Sequence, residues 1–294
     1  MSSFLSYLIS GISLGSVYAI IALGYTMVYG IAKMLNFAHG DVIMVGAFIA
    51  YVTSNELGLP PIVCILVSMA VCTLLGVLIE KIAYKPLRGA TSLSVLITAI
   101  GVSYFLQNAA LLIFGADPKT FTSLIEIPSA SLMNGEVTVS GVTIVTILAC
   151  VIIMISLQLF INKTKTGQAM LAVSADNGAA TLMGINVNKT ISITFAIGSG
   201  LAAIAGVLLC SAYPTLSATT GAMPGIKAFT AAVFGGVGSI PGAFIGGLAL
   251  GIIENLSKAY ISSQLADAIV FAVLILVLLI KPTGILGKYE QEKV

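Results

Sequence analysis

The chain has 294 residues, of which 58% are hydrophobic and only 8% charged, with a mean hydropathy of +1.10. Soluble domains carry roughly 25% charged residues, so this composition excludes an ordinary soluble globule and leaves an integral membrane protein without room for a sizeable soluble domain. The formal net charge of +2 points to no nucleic-acid partner, and the information lies in where the lysines fall.

The N-terminal stretch has no basic region and no small-residue cleavage pattern, and is read as part of the mature protein. A first span is expected from Leu5 to Gly30. Its Gly11, Gly15, Gly24 and Gly30, with Ser13 and Ser16, let neighbouring helices approach closely. Lys33 follows, then a polar cluster, Asn36-Phe37-Ala38-His39-Gly40-Asp41. Val42 to Val52 is too short for a complete crossing, which needs about 20 residues, so it either takes in part of that cluster or is a broken helix. Ile62 to Ile79 crosses next, followed by the basic Lys81, Lys85 and Arg88. The fourth span, Ser92 to Phe114, carries the uncharged polar Thr98, Ser103, Gln107 and Asn108. A loop with Asp117, Glu126 and Glu136 against Lys119 follows, and Val137–Val139 after Asn134-Gly135 reads as a small strand. Val142 to Ile161 and Ile191 to Ala212 are the fifth and sixth spans. Gly225 to Val237 is apolar but only about 20 Å long as a helix. Gly235, Gly236, Gly238, Pro241 and Gly242 break it before Ala243 to Leu256 resumes and Leu265 to Ile280 makes the last span. That break is read either as close helix packing or as a hinge lining a pathway.

Between the fifth and sixth spans, Lys163–Lys189 differs from everything around it. From Gly167 to Met183 it is rich in good helix formers, and Gly184 suits a helix C-terminus. Apolar Met170, Val173 and Leu182 alternate with Gln168, Ser174, Asp176, Asn177 and Thr181. It is either a connector or a surface helix offering a face to another protein. Putting Lys33, Lys81–Arg88, Lys163–Lys189, Lys281, Lys288 and Lys293 on one side gathers all but Lys119, Lys227 and Lys258 of the 13 basic residues. That side is cytoplasmic by the positive-inside rule, with an external N-terminus and a cytoplasmic C-terminus if Gly225–Val237 crosses. Gly46-Ala47-Phe48-Ile49 recurs as Gly242-Ala243-Phe244-Ile245, a faint sign of internal duplication.

Little in the chain carries chemistry. His39 is the single histidine, the four cysteines sit in apolar runs as small hydrophobes, and no phosphate-binding GxxxxGK[ST] loop is present, so no enzyme and no metal site is expected. Ion-coupled carriers keep acidic residues deep in their spans, whereas Glu80, Glu254 and Asp267 fall near predicted helix ends and Lys227 is placed to snorkel to the interface. Hydroxyls, amides and glycines remain, which suits a pathway for a polar solute that must not stick.

Gly15-Ser16-Val17-Tyr18-Ala19 through Tyr29-Gly30, Asn36-Phe37-Ala38-His39-Gly40, Gly184-Ile185-Asn186, Ala232 to Gly242 and the tail Lys281-Pro282-Thr283-Gly284-Ile285-Leu286-Gly287 together resemble permeases of branched-chain amino-acid ABC importers. The resemblance spans essentially the whole chain and is closest to the first of the two permeases such systems encode. It implies an all-α, polytopic fold of eight to ten transmembrane or partly spanning helices, with residues 1–294 as one permease domain in the bacterial cytoplasmic membrane. It also implies partners: a second related permease, two ATPase subunits carrying ATP and Mg, an extracytoplasmic substrate-binding protein, membrane lipid and an amino-acid substrate. Similar permeases serve urea, short amides and other amino acids. The segment over residues 163–189 is similar to the one that docks on an ATPase. Its contact would use Gly167, Met170, Leu171, Val173, Asp176, Ala179, Ala180, Leu182, Met183 and Gly184, with the apolar members filling a groove. The family often has Arg where Gln168, Leu171 and Thr181 stand, and Glu at Gly178, so apolar contact carries more of the docking here. Asn36, Phe37, His39, Thr98, Ser103, Gln107 and Asn108 are expected along the translocation path, with the first three packed against the fourth span.

Overall fold

A computed structural model describes residues 2–132 and 137–287. Asn134, Gly135, Glu136, Lys288 and Lys293 lie outside the described residues. Among the described residues the fold is helical, with two minor pairs of strands. Helix α1 is Ser2–Ala32, α2 His39–Tyr51, α3 Pro61–Ile79, α4 Ser92–Phe114, α5 Gly141–Lys163, α6 Lys165–Ala175 and α7 Asn177–Leu182. Helix α8 is Val187–Ala212, α9 Ala222–Gly235, α10 Ile240–Tyr260 and α11 Ala266–Ile280. Among the described residues six helices (α1, α3, α4, α5, α8 and α10) are long and apolar enough to cross a membrane, and α2, α9 and α11 are shorter. The all-α polytopic architecture expected from the sequence is what the chain adopts.

In lipid, apolar side chains gain nothing by leaving hydrocarbon, so helices associate through close backbone contact and hydrogen bonds. The glycines of α1 serve this end. A Cβ on Gly11 would stand 2.9 Å from Ile252 Cα, and one on Gly15 2.8 Å from Leu248 Cα, both on α10. Gly247 and Gly251 of α10 in turn face the backbone at Ala19 and Gly15. These pairs run in opposite directions along the chain, so α1 and α10 cross antiparallel, and the Asn255 amide donates to the Tyr7 carbonyl oxygen at 2.5 Å. Helix α8 is the most buried of the long helices. Gly46 of α2 lies against Ala203, with 2.7 Å from its notional Cβ to the Ala203 Cα, and Gly76 of α3 lies against Ser199.

The short helices settle what the sequence left open. Helix α2 begins at His39, so it takes in the end of the polar cluster, and a π-helical turn over Val52–Glu56 extends it. Thr53 closes that turn by donating to the Ile49 carbonyl at 2.8 Å. Its N-terminal end meets the start of α9, where Gly40 lies against the backbone of Gly221 and Gly225. Helix α9 runs antiparallel to α10: Lys227 near its start pairs with Glu254 near the end of α10, and Gly235 at its end abuts Gly242. The tail then doubles back. The backbone N–H groups of Ile285 and Leu286 donate to the carbonyls of Phe234 and Gly235 at 2.9 Å each, satisfying acceptors that the helix end leaves open. Val137–Val139 is a strand, β3, paired antiparallel with β2 (Ala130–Leu132), and β1 (Lys119–Thr120) pairs with β4 (Thr215–Leu216) to join the α4–α5 and α8–α9 loops.

Replacing Gly251 by Leu forces bulk into the Gly15 backbone and is expected to cost about 1–3 kcal/mol. Gly101, with open space at its Cβ position, is the control. Thermal unfolding in detergent should show a lowered Tm for Gly251→Leu and an unchanged or raised one for Gly101→Leu, within α4; an equal fall in both would remove the α1–α10 contact from the account.

Candidate functional site

The segment over residues 163–189 is not one helix but two, a correction to the continuous surface helix expected. Thr164 caps α6 by accepting from the Gly167 backbone N–H at 3.0 Å. The chain breaks at Asp176, whose carboxylate accepts from the Ala179 N–H at 2.9 Å and so starts α7. Short side chains that bond nearby backbone favour such caps over helix interiors. Gly184, at φ +80°, follows α7 in the left-handed conformation that ends helices. The apolar members divide by face. Gly167, Met170, Val173 and Ala180 are buried against the chain's own bundle, and a Cβ on Gly167 would enter the backbone at Phe160 and Ile161. Met170 and Val173 are therefore not available to fill a partner's groove, which corrects that expectation. Leu171 is partly exposed, Ala179 is exposed, and Leu182 and Met183 stand out at 90% and 81% exposure.

Behind α6 lies a cavity of about 750 Å³, bounded by the ends of α1 and α5, by Met170, Leu171 and Ser174, and by Val237–Pro241. The glycine break thus sits across this cavity from the α6 face. Gly236 has φ +107° and Gly238 φ +87°, conformations that suit glycine. Ser239 accepts from the Gly242 N–H at 3.2 Å and, with Pro241 in the first turn, starts α10. Gly235 and Gly242 touch backbone to backbone, so this is a tight turn between closely packed helices.

The polar cluster before α2 is buried in the bundle. Asn36 Oδ1 accepts from the Tyr84 hydroxyl at 3.0 Å, and the Phe37 ring lies 5.5 Å from that of Phe229 on α9. His39 lies edge-on to Tyr25, ring centroids 4.6 Å apart, and its imidazole occupies the space where a side chain on Gly24 would stand. These three meet α1, α9 and the extension of α3 rather than α4. It is Asp41, unremarked as a site residue from the sequence, that reaches the fourth span: Gln107 Nε2 donates to its Oδ1 at 2.8 Å and to Ser103 Oγ at 3.3 Å. The four polar groups of α4 do not converge. Ser103 and Gln107 share the face of buried Ala99, Leu106 and Ala110, whereas exposed Asn108 bonds back to the Tyr104 carbonyl at 2.8 Å and lies on the face of Phe105 and Leu112, with Thr98 half-buried at its other end.

Two charged clusters also escape a reading by hydropathy. Lys227 does not snorkel. It is buried between Glu254 Oε1 at 2.9 Å and Asp267 Oδ1 at 2.6 Å, and Glu254 also accepts from Lys258 at 2.5 Å and from the Tyr18 hydroxyl at 2.9 Å. An ammonium is kept inside when carboxylates and hydrogen bonds offset its desolvation. Glu80, though near a helix end, is likewise fully buried, bound by Arg88 and by Ser192 Oγ at 2.5 Å. Arg88 also donates to Asn188, so this cluster ties the end of the α3 extension to the start of α8, at the C-terminal end of the segment over residues 163–189.

The family described as branched-chain amino acid transport system / permease component matches residues 7–278. The high-affinity branched-chain amino acid transport system permease protein BraD of Pseudomonas aeruginosa is 44% identical, over 99% of this chain and 98% of its own length. The corresponding protein LivH of Escherichia coli K12 is 45% identical over the same shares. The probable branched-chain amino acid transport permease protein LivH of Methanocaldococcus jannaschii is 30% identical over 91% of this chain and 88% of its own.

Gln107→Leu leaves the buried Asp41 carboxyl without its amide donor and is expected to cost about 1–3 kcal/mol. Asn108→Leu loses only a bond within its own helix and is expected to leave Tm unchanged. Unfolding followed by tryptophan-free far-UV circular dichroism distinguishes the two; the reverse order would contradict the placement of α4.

Proposed function

This chain belongs to the family of branched-chain amino acid transport permeases, and we propose that it is a membrane subunit of an ATP-binding-cassette importer that moves branched-chain amino acids into the cytoplasm. The near-full-length identity to two such permeases carries the reading. The six membrane-competent helices agree with a multi-pass protein of the cytoplasmic membrane. The whole chain acts as one permease domain beside a second, related permease. Two ATPase subunits hold ATP and Mg and supply the work, and an extracytoplasmic binding protein delivers the amino acid.

In this reading residues 163–189 receive the stroke. The buried face of α6 joins the segment to the bundle, and Leu171, Ala179, Leu182 and Met183 meet the ATPase. The turn from Gly235 to Gly242, across the cavity from α6, is the hinge over which α9 and α10 respond. The path follows the seam of α2 and α4, where Asp41, Ser103 and Gln107 lie together, with Thr98 and Asn108 toward the second permease. Asn36, Phe37 and His39 hold the inner end of that seam in place from behind.

Proteoliposomes holding the permease pair and the ATPases, with ATP inside and the binding protein outside, are expected to accumulate L-leucine. Vesicles holding this chain alone under a proton or sodium gradient are expected to accumulate none. Gradient-driven uptake by the lone chain would replace the reading with a secondary carrier, and ATP-driven uptake of urea or an amide in place of leucine would keep the machine and change its cargo.

A further inference from the structure

In the half of the bundle opposite the lysine-rich segments, extracytoplasmic on the proposed orientation, lies a second cavity of about 240 Å³ that no role described so far uses. A water's share of liquid volume is about 30 Å³, so the space is that of a small organic solute. Its lining carries charge and hydroxyls from Lys227, Lys258, Glu254, Tyr18 and Tyr213. Leu14, Leu209 and Met223, each one turn from a polar member of the lining, add apolar surface.

The charges are balanced and still have bonding capacity. Lys227, Lys258, Glu254 and Asp267 carry two positive and two negative formal charges, joined as described above. A neutral zwitterion enters such a site without a counterion, whereas a simple acid or a simple amine upsets the balance. Lys258 has three N–H donors, gives one to Glu254, and is the most open of the two lysines, with 39% of its side chain exposed. A carboxylate offers about four acceptor positions. Glu254 fills three of them, with Lys227, Lys258 and Tyr18. We propose that this cavity binds an aliphatic α-amino acid as its zwitterion. Its carboxylate lies on Lys258, its ammonium on the remaining acceptor position of Glu254, and its side chain against the apolar lining of Leu14, Leu209 and Met223. The cavity then holds the amino acid within the permease after the binding protein has released it. This inference rests on the reading of the chain as an amino-acid permease.

The test is equilibrium dialysis of radiolabelled L-leucine against the assembled permease–ATPase complex in nanodiscs, without binding protein. Saturable binding is expected, displaced by L-isoleucine but not by 4-methylpentanoate or isoamylamine, each of which lacks one of the two charges. Lys258→Met, at a partly exposed position, should weaken it at least tenfold, and Met223→Trp, which takes up space within the lining, should do the same. Absence of leucine binding, equal displacement by the singly charged compounds, or binding left unchanged by either variant overturns the proposal. If the unmodified complex, reconstituted in proteoliposomes with binding protein outside and ATP inside, accumulates leucine yet in nanodiscs does not bind it, the cavity assignment alone falls. If it neither binds nor accumulates leucine, the reading of the function falls with it.

Discussion

Backbone-to-backbone contact between glycine-bearing helices is the constraint on which the rest of this structure depends. Where α1 meets α10, Gly11 and Gly15 face Ile252, Leu248 and Gly251 with no room for a methyl group. Lipid tails are as apolar as Leu, so burial of aliphatic side chains cannot by itself choose one helix partner over another, and close approach does. The contact fixes the position of Tyr18 beside Glu254, and through Glu254 that of Lys227 on α9. Contacts of α8 with α2 and α3 complete the same frame, and Gly24 leaves the slot that His39 fills.

Onto that frame the segment over residues 163–189 is tied at both ends. Gly167 sits against the last turn of α5, and Met170 and Val173 point inward. Arg88 links Glu80 to Asn188 where the segment feeds into α8. In the proposed function, a push on the outer face of a segment held this way would reach α5, α8 and the glycine turn across the cavity. The same tethering explains why only part of its apolar surface is free for a partner.

Much of this was legible in the residues. Length, composition and apolar runs placed the long helices to within a few positions, and the small residues of α1 announced close packing. They could not say against which helix, because Gly and Ser mark an approach without naming the neighbour. The helix start at His39 was left open because the His39–Asp41 cluster has the polarity of a loop and is buried only by tertiary contacts. Lys227 and Glu254 misled for the same reason: a charge reads as interfacial until its partners, 27 residues apart in sequence, are brought together. Met170 and Leu182 look alike in the sequence, and only the break at Asp176 sends one inward and the other out. Polarity alone marks the candidate path residues of α4, and it does not distinguish the Gln107 face from the Asn108 face.

The central claim is that this segment has an inner face welded to the bundle and an outer face open to an ATPase. Single cysteines at positions 170, 173, 182 and 183 in the assembled complex, treated with a short thiol crosslinker, test it most directly. The account predicts ATPase crosslinks from Leu182→Cys and Met183→Cys that change in yield with ATP, and none from Met170→Cys or Val173→Cys. Crosslinks from the inner pair, or from Lys81–Arg88 cysteines with none from Leu182→Cys and Met183→Cys, would contradict it.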